Sequence, residues 1–350
     1  MIHYAFIAVL AILFTLLLGW CFKYLPGERW QIMASVPVKK ISPGEWQGVN
    51  VTYYGLLNAN AYTLAVSILF ILTGAVGVPT STTLIMVFVI LLCCMPASRI
   101  LARLIEKKAY TFTVGGASFV GLLIAPLVLW IVNSALNMIM TDSLNPMPFM
   151  AAMAVAYAFG EGAGRLACIS FGCCYGKPLS QCNGSLQRMF RHCSFVFSGK
   201  TKKIAYESGL DGQKVVPIQA VTAVLYIGIG LVGTHLFLQA LFIPAFLLAV
   251  LGTQGWRVVS ETLRADYRGG GRMTAYQVMS LGAMVYAVFI TAMTPAVSVT
   301  SVDVMDGLRS FWQPGVILFL FFLWFFSFIY TGRSRVTGSL VSVYVHRDRI

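Results

Sequence analysis

The sequence predicts an all-α fold, a polytopic membrane bundle of about nine transmembrane helices. Hydrophobic residues make up 58% of the 350-residue chain and charged residues only 11%, a composition typical of membrane proteins. Apolar runs recur along the chain, most of them close to the roughly 20 residues that a helix needs to cross a bilayer. We find no internal repeat, low-complexity tract or soluble domain.

Nine apolar runs mark the expected helices, and the third is short enough to merge with a neighbour. The first lacks a basic leader and an A-x-A cleavage site, so we interpret it as a permanent helix. The runs lie near Tyr4–Phe22, Tyr54–Val78, Ser81–Pro96, Thr111–Val132, Met147–Phe171, Pro217–Thr234, Phe237–Trp256, Tyr276–Ala296 and Phe311–Tyr330.

The basic residues are distributed unevenly between the two sides of this bundle. Of 25 Lys and Arg residues, 24 lie in alternate connections, and the intervening connections carry only Arg309. The positive-inside rule then places the C-terminus, and the side that carries the motifs below, in the cytoplasm. A second interpretation is a basic face that holds anionic lipid phosphates. The net charge of +13 does not indicate a nucleic-acid partner, because the basic residues are spread along membrane connections.

The most informative segment spans residues 160–178 and carries two charges at membrane depth or at its edge. It follows the apolar run Met147–Phe159, which is too short to cross a bilayer alone, so the span must continue into the segment. Charges in such a position are costly and are functional candidates. On a helix, Glu161 and Arg165 share one face at i and i+4 and can pair.

Five cysteines cluster in and after this segment, within 26 residues. Three interpretations are open: a disulfide, which requires an oxidising compartment; a metal or catalytic thiol site; and buried or mildly reactive thiols. The spacing C-x4-C-C-x7-C-x10-C matches no standard zinc pattern, so we expect no metal and no cofactor. The cluster consists of Cys168, Cys173, Cys174, Cys182 and Cys193.

A second charged group closes the seventh span. On a continuous helix, Arg257, Glu261 and Arg264 share one face at i, i+4 and i+7. A guanidinium is a planar, permanently charged fork that suits a phosphate, whereas the plainer interpretation is an interfacial row of anchors. Gly116 and Ser118, at the start of the fourth span, favour close approach of a helix or a lipid headgroup.

Taken in chain order, these motifs resemble the prolipoprotein diacylglyceryl transferase family. The segment Gly162–Gly172, G-A-G-R-L-A-C-I-S-F-G, is similar to the family signature G-A-G-R-L-G-N-F-I-N-G and is the most specific match. The others support it as a collinear series from about Val51 to Ala296. They are Tyr53-Tyr-Gly-Leu for W-Y-G-L, Val114-Gly-Gly-Ala-Ser-Phe-Val-Gly for G-G-M-S-F-H-G-G, Val216-Pro-Ile-Gln for H-P-x-Q, Arg257-x-x-x-Glu-x-x-Arg for R-x-x-x-E-x-x-R, and Gln277-x-x-Ser for G-Q-x-x-S.

Family members move the diacylglyceryl group of phosphatidylglycerol onto a cysteine thiol of an exported protein and release glycerol phosphate. The resemblance implies an integral transferase of a bacterial-type inner membrane. Its partners would be phosphatidylglycerol or another anionic phospholipid, the bilayer and a lipid-acceptor protein. It also implies that Arg165 and Arg257 hold the phosphate and that Glu261 orients them, with Glu161 as a further catalytic candidate. The residues expected to contact substrate are Tyr54, Gly116, Ser118, Gln219, Arg264, Cys168, Cys173 and Cys174.

The sequence departs from the family pattern where protons and the acceptor would be handled. The proton acceptor for the attacking thiol is therefore open between Glu161, Glu261 and a motif cysteine. In the family the motif-bearing face looks out of the cytoplasm, whereas the charge bias here points it inward. The departures are Val120 for a histidine, Cys168 for the signature asparagine, Cys173 for a glutamate, Val216 for the histidine before proline, and Val221 and Thr222 for a Tyr-Glu pair.

Two functions from different classes are compatible with these residues. The first is the membrane transferase. The second is a non-enzymatic phospholipid- or partner-binding protein derived from that family, which the loss of the histidine at Val120 favours and the retained charges disfavour. The resemblance divides the chain into an extra N-terminal helix with a basic loop (1–50), a seven-helix core with a Cys-rich loop at 172–216 (51–296), and an extra C-terminal helix with a basic tail (297–350).

Overall fold

A computed structural model describes residues 1–106, 114–137, 145–267, 273–294 and 301–350. This part of the chain is mainly helical, as predicted. Several predicted features fall outside the described residues: the start of the fourth span (111–113), the end of the eighth (295–296), the boundary at 296–297 and the basic residues Lys107, Lys108, Arg268 and Arg272.

Nine long helices form the body of the described protein, and three short helices lie in its connections. The long ones are α1 (Ile2–Tyr24), α2 (Tyr53–Ala75), α3 (Thr80–Glu106), α4 (Val114–Asn137), α5 (Pro146–Phe171), α8 (Ile218–Leu238), α9 (Phe242–Thr262), α10 (Ala275–Met293) and α12 (Pro314–Gly332). The short ones are α6 (Gly184–Phe190), α7 (Lys203–Ser208) and α11 (Val304–Phe311). The strands are β1 (Ile32–Ser42), β2 (Glu45–Thr52), β3 (Phe195–Val196), β4 (Lys214–Val215) and β5 (Arg333–Ser342).

Among the described residues, eight helices are long and apolar enough to cross a membrane. The ninth long helix, α5, has sufficient length but no 18-residue stretch as apolar as those in the other eight. It is also the most enclosed, since 18 of its 26 residues are buried. A helix surrounded by protein instead of lipid can carry polar groups at membrane depth, and α5 carries Glu161 and Arg165.

Helix α5 lies at the centre of the bundle, between α2 and α8, and also contacts α9, α4 and α1. Two glycines make this close packing possible. A Cβ at Gly160 would lie 2.7 Å from the Cβ of Ala65 on α2, and one at Gly162 would lie 3.0 Å from Ile227 on α8. Helix α10 packs on α9 and α4, α3 on α4, and both α11 and α12 on α2.

A three-stranded antiparallel sheet, which the sequence analysis did not predict, joins the two ends of the chain. Its order is β1–β2–β5, so the basic loop before α2 is a hairpin and the basic tail after α12 is its third strand. The link continues into the helices, where the Thr52 hydroxyl donates to the Gly332 carbonyl at 3.0 Å. Pro37 lies inside β1, and a proline normally weakens a strand prediction.

The segment between α5 and α8, the predicted Cys-rich loop, folds over the ends of α1 and α5. Strands β3 and β4 pair there through Phe195 and Val215. Lys202 is fully buried at its centre. The Lys202 ammonium donates to the carbonyls of Leu25, at 3.1 Å, and Ser170, at 2.7 Å. One side chain therefore binds the carboxyl ends of two helices to this segment.

Candidate functional site

The centre of the site is one carboxylate oxygen shared by two arginines. Oε1 of Glu161, on α5, accepts a hydrogen bond from Arg165 one helical turn later. The same oxygen accepts from Nη2 of Arg257, on α9, at 2.8 Å. The predicted i, i+4 pairing of Glu161 with Arg165 is therefore present, and the two predicted phosphate-binding arginines point to one place.

These side chains are buried and carry an excess of positive charge. The exposed fraction is 2% for Glu161, 9% for Arg257 and 15% for Arg165. Two guanidinium groups and one carboxylate give a local charge of +1. Two polar atoms in the group are buried without a hydrogen-bond partner, Nε of Arg165 and Oε2 of Glu161. Buried polar atoms are normally satisfied, so this arrangement fits a polar ligand with negative charge.

Two tyrosines that the sequence analysis missed complete the group. The hydroxyl of Tyr157 accepts from Arg257 Nη2 at 3.2 Å. Tyr226, on α8, is buried beside Arg257 and donates to the Thr253 carbonyl at 2.6 Å. Helical spacing could have revealed the first, because Tyr157 precedes Glu161 by four residues and therefore lies on the same face.

The turn that ends α5 brings three cysteines together. Gly172 adopts the left-handed conformation with φ 72°. The Gly172 amide donates to the Ile169 carbonyl at 3.2 Å and the Cys173 amide to the Cys168 carbonyl at 3.0 Å. This is the Schellman pattern, which folds the second residue after the helix back onto its last turn. The Sγ atoms of Cys168, Cys173 and Cys174 lie within 4.8 Å of one another.

The cysteine turn is next to other predicted substrate contacts. Gln219 donates from Nε2 to the Cys173 carbonyl at 2.9 Å, and its Oε1 is buried without a partner. The rings of Tyr54 and Phe171 lie 5.3 Å apart at their centroids. Thiol hydrogen bonds with Cys168 and Cys174, together with burial, raise the pKa of the Cys173 thiol well above its usual value. All eight cysteines of the chain are thiols in this structure.

The prediction that Arg257, Glu261 and Arg264 lie on one continuous helix is wrong for Arg264. Helix α9 ends at Thr262, so Arg264 is not at i+7 of a continuous helix. Its backbone instead forms an isolated antiparallel bridge with Gly176, next to the cysteine turn.

Glu261 pairs with Arg264 and lies within electrostatic range of Arg257, one of the two arginines that it is predicted to orient. Arg264 binds Asp266 through two hydrogen bonds of 2.8 Å and approaches Glu261 Oε1 at 3.4 Å. In the described part of the chain, the ion pair of Arg257 is with Glu161. Arg264 is thus compensated by two carboxylates, and this second group has a local charge of −1. Oε2 of Glu261 is buried without a partner.

Gly116 and Ser118 lie in the first two turns of α4, which contacts α3, α5 and α10. Gly116 is buried and Ser118 half-buried, as is Val120 one turn along. Their roles in binding substrate stay predictions. The only residues of the described chain whose thiol, imidazole or carboxylate atoms group closely enough to hold a metal ion are the three cysteines of the turn.

A comparison with curated proteins gives no significant match. The family model for prolipoprotein diacylglyceryl transferase, in contrast, matches residues 45–293. The match includes α2 to α10 and therefore the shared carboxylate, both of its arginines and the cysteine turn, while α1 and α12 lie outside it. The chain belongs to the prolipoprotein diacylglyceryl transferase family.

Proposed function

We propose that this integral membrane protein transfers a diacylglyceryl group from an anionic phospholipid, such as phosphatidylglycerol, to a thiol or related acceptor. The observation that carries the proposal is the pair of buried arginines on one carboxylate oxygen. Arg165 and Arg257 approach Glu161 from two helices, and these three side chains together carry one net positive charge, with Glu261 within electrostatic range of Arg257. A phosphodiester supplies one negative charge and several acceptor oxygens, which guanidinium groups bind well.

The unsatisfied atoms support the same assignment. Nε of Arg165 is a buried donor without a partner, and a phosphate oxygen would satisfy it. When the C–O bond to the phosphate breaks, the leaving glycerol phosphate gains a further negative charge. A site with fixed positive charge in a poorly hydrated bundle stabilises that developing charge more than the starting diester.

The reaction then balances without a cofactor. The acceptor sulfur forms a bond to the glycerol carbon of the diacylglyceryl group, and the bond from that carbon to the phosphate oxygen breaks. The electron pair leaves with glycerol phosphate. The thiol proton passes to a carboxylate, and the two candidates with a buried unpaired oxygen are Glu161 and Glu261. Either position replaces, in part, the family histidine that is Val120 here.

The decisive experiment is Arg165→Lys in the purified full-length protein. Lysine keeps the charge but removes the planar fork and its Nε donor. With phosphatidylglycerol labelled in its headgroup and a cysteine peptide as acceptor, we expect release of glycerol phosphate to fall roughly 10²- to 10³-fold, the usual effect of losing one donor to a developing anion. Arg309→Lys is the matched control, since Arg309 pairs with Asp306 and its side chain is 75% exposed.

Three results would separate the alternatives. If the Arg165→Lys protein releases glycerol phosphate as fast as the Arg309→Lys control does, the assignment of Arg165 to the phosphate is refuted. Arginine-dependent binding of phosphatidylglycerol vesicles without turnover, across thiol acceptors, would instead indicate the phospholipid-binding function that Val120 favours. Phosphatidylethanolamine, which has no net charge, should be a poor donor if the excess positive charge selects the lipid.

We also propose that the protein lies in a bacterial-type inner membrane and that a lipid-acceptor protein meets it on the side of the cysteine turn. The charge bias favours the cytoplasm for that side, whereas the family resemblance favours the outer face. Cys193 is exposed in the same segment and reports the orientation. An impermeant maleimide that labels Cys193 in intact cells would place the site on the outer side and refute the charge-based orientation.

A further inference from the structure

We propose that the thiols of Cys168, Cys173 and Cys174 bind one thiophilic metal ion, Zn²⁺ or Cu⁺, as a three-thiolate site. Their Sγ atoms lie within 4.8 Å of one another. With metal–sulfur bonds of about 2.3 Å, three thiolates around one ion lie roughly 4 Å apart. The turn therefore needs a contraction of less than about 1 Å to reach coordination geometry.

The backbone holds the three thiols in place before any ion binds. The Schellman turn at Gly172 brings Cys173 over Cys168, and Gln219 fixes the Cys173 carbonyl from α8. Cys174 has φ +55°, a left-handed conformation that is uncommon for a residue with a side chain. Backbone strain of this kind occurs mostly at functional sites. It directs the third thiol to the same side as the other two.

The surroundings oppose part of the charge that such a site would carry. Arg165 lies within electrostatic range of Cys168, and Lys203 lies within range of both Cys173 and Cys174. Arg264 is also within range of Cys174, but Asp266 and Glu261 offset its charge. Three thiolates with Zn²⁺ have a net charge of −1, and with Cu⁺ a net charge of −2. Arg165 and Lys203 therefore oppose the charge of either complex.

The chemistry of the donors selects the ion. Thiolates are soft ligands that favour Zn²⁺ and Cu⁺ over Mg²⁺ or Ca²⁺. Binding exchanges three S–H protons, which leave to solvent, for three sulfur–metal bonds, and no oxidation is involved. The three cysteines are half-buried, so an ion can reach them. This inference does not depend on the transferase reaction, because it concerns binding alone.

The test uses the reduced full-length protein in detergent, stripped of metal and then dialysed against Zn²⁺ or Cu⁺. We expect one ion per chain, with X-ray absorption at the metal edge giving three sulfur neighbours. A competition experiment with Zn²⁺ and Cu⁺ present together identifies which ion the site prefers. Cys173→Ser and Cys174→Ser should weaken binding by more than the roughly 10- to 100-fold loss that follows removal of an outer-shell partner. Cys193→Ser, in the same segment, should bind as the wild type does.

A second measurement needs no variant. Loading with the ion should protect three of the eight thiols from iodoacetamide, and peptide mapping should identify them as the three thiols of the turn. The proposal is overturned if reduced protein binds no stoichiometric ion, if the ion is bound without sulfur neighbours, or if the thiols only form a disulfide in air. It is also overturned if folded Cys173→Ser and Cys174→Ser proteins bind the ion as tightly as the wild type.

Discussion

The fully buried Lys202 should make the stability of the segment after α5 depend on pH. Burial lowers the pKa of Lys202 from an ordinary 10.5 to about 7, although Glu28 nearby acts in the opposite direction. In the unfolded segment the amine keeps its ordinary pKa, so between pH 7 and pH 10.5 the unfolded state binds more protons than the folded one. The free energy of unfolding must then rise with pH across this interval.

The size of this effect follows from the two pKa values. At pH 7 the folded amine is half protonated, and by pH 9 it is almost entirely neutral, while the unfolded amine is still mostly charged. Linkage then gives an increase in the free energy of unfolding of about 2 kcal/mol between pH 7 and pH 9. Below pH 7 both states are charged, so the contribution of Lys202 becomes constant.

Lys202→Met removes the titrating group and should remove this slope. Hydrogen exchange of residues 195–210 measures how often this segment opens locally. Comparing the wild type with the variant at the same pH removes the pH dependence of the intrinsic exchange rate. Lys200→Met is the matched control, because Lys200 is exposed two residues earlier. Parallel pH profiles for wild type and Lys202→Met would refute the assignment of the slope to this lysine.

Three further predictions concern packing and the shared carboxylate. Gly162→Val forces α5 away from α8 and should lower the thermal unfolding midpoint, with a cost of about 1–3 kcal/mol. Tyr157→Phe removes one hydrogen bond to Arg257 and should lower turnover by roughly tenfold, equivalent to about 1.5 kcal/mol for a bond to a charged group, with the unfolding midpoint unchanged. Gly55→Ala places a Cβ 2.1 Å from the Gly332 Cα and should detach α12 from α2, seen as new protease cleavage before residue 314.

The two glycine predictions share a control. Gly19→Ala meets nothing within 4 Å and should leave both the unfolding midpoint and the cleavage pattern unchanged. If Gly162→Val or Gly55→Ala behaved like Gly19→Ala, the close helix contacts described above would be wrong. A lower thermal unfolding midpoint in Tyr157→Phe would mean that this tyrosine has a structural role instead of a catalytic one.

The helices could be predicted because a bilayer imposes a simple rule of length and apolarity. The pair at Glu161 and Arg165 could be predicted for a similar reason, since helical spacing alone brings them together. The convergence of Arg257 on the same oxygen depends on how α5 and α9 pack. Residue spacing along one helix cannot predict this packing. There the family resemblance gave the correct expectation.

Other features depended on contacts between distant segments. The sequence predicts Arg264 on a continuous helix, whereas α9 ends two residues earlier, and the backbone pairing of Arg264 with Gly176 is not encoded near either residue. The cysteine spacing matched no zinc pattern, yet the left-handed glycine at the end of α5 closes the gap between Cys168 and Cys173. Lys202 was counted only as one basic loop residue, since nothing in its neighbouring sequence predicts complete burial.

The β1–β2–β5 sheet has a consequence for biosynthesis. Strand β5 is made after all nine long helices, whereas its partner β2 is made before all but the first. A chain grows from its N-terminus, so the β1–β2 hairpin must wait with an open edge until β5 has been made. An unpaired edge strand is prone to associate with other chains. Products that stop before residue 333 should therefore self-associate through β2, and pairing with β5 closes that edge.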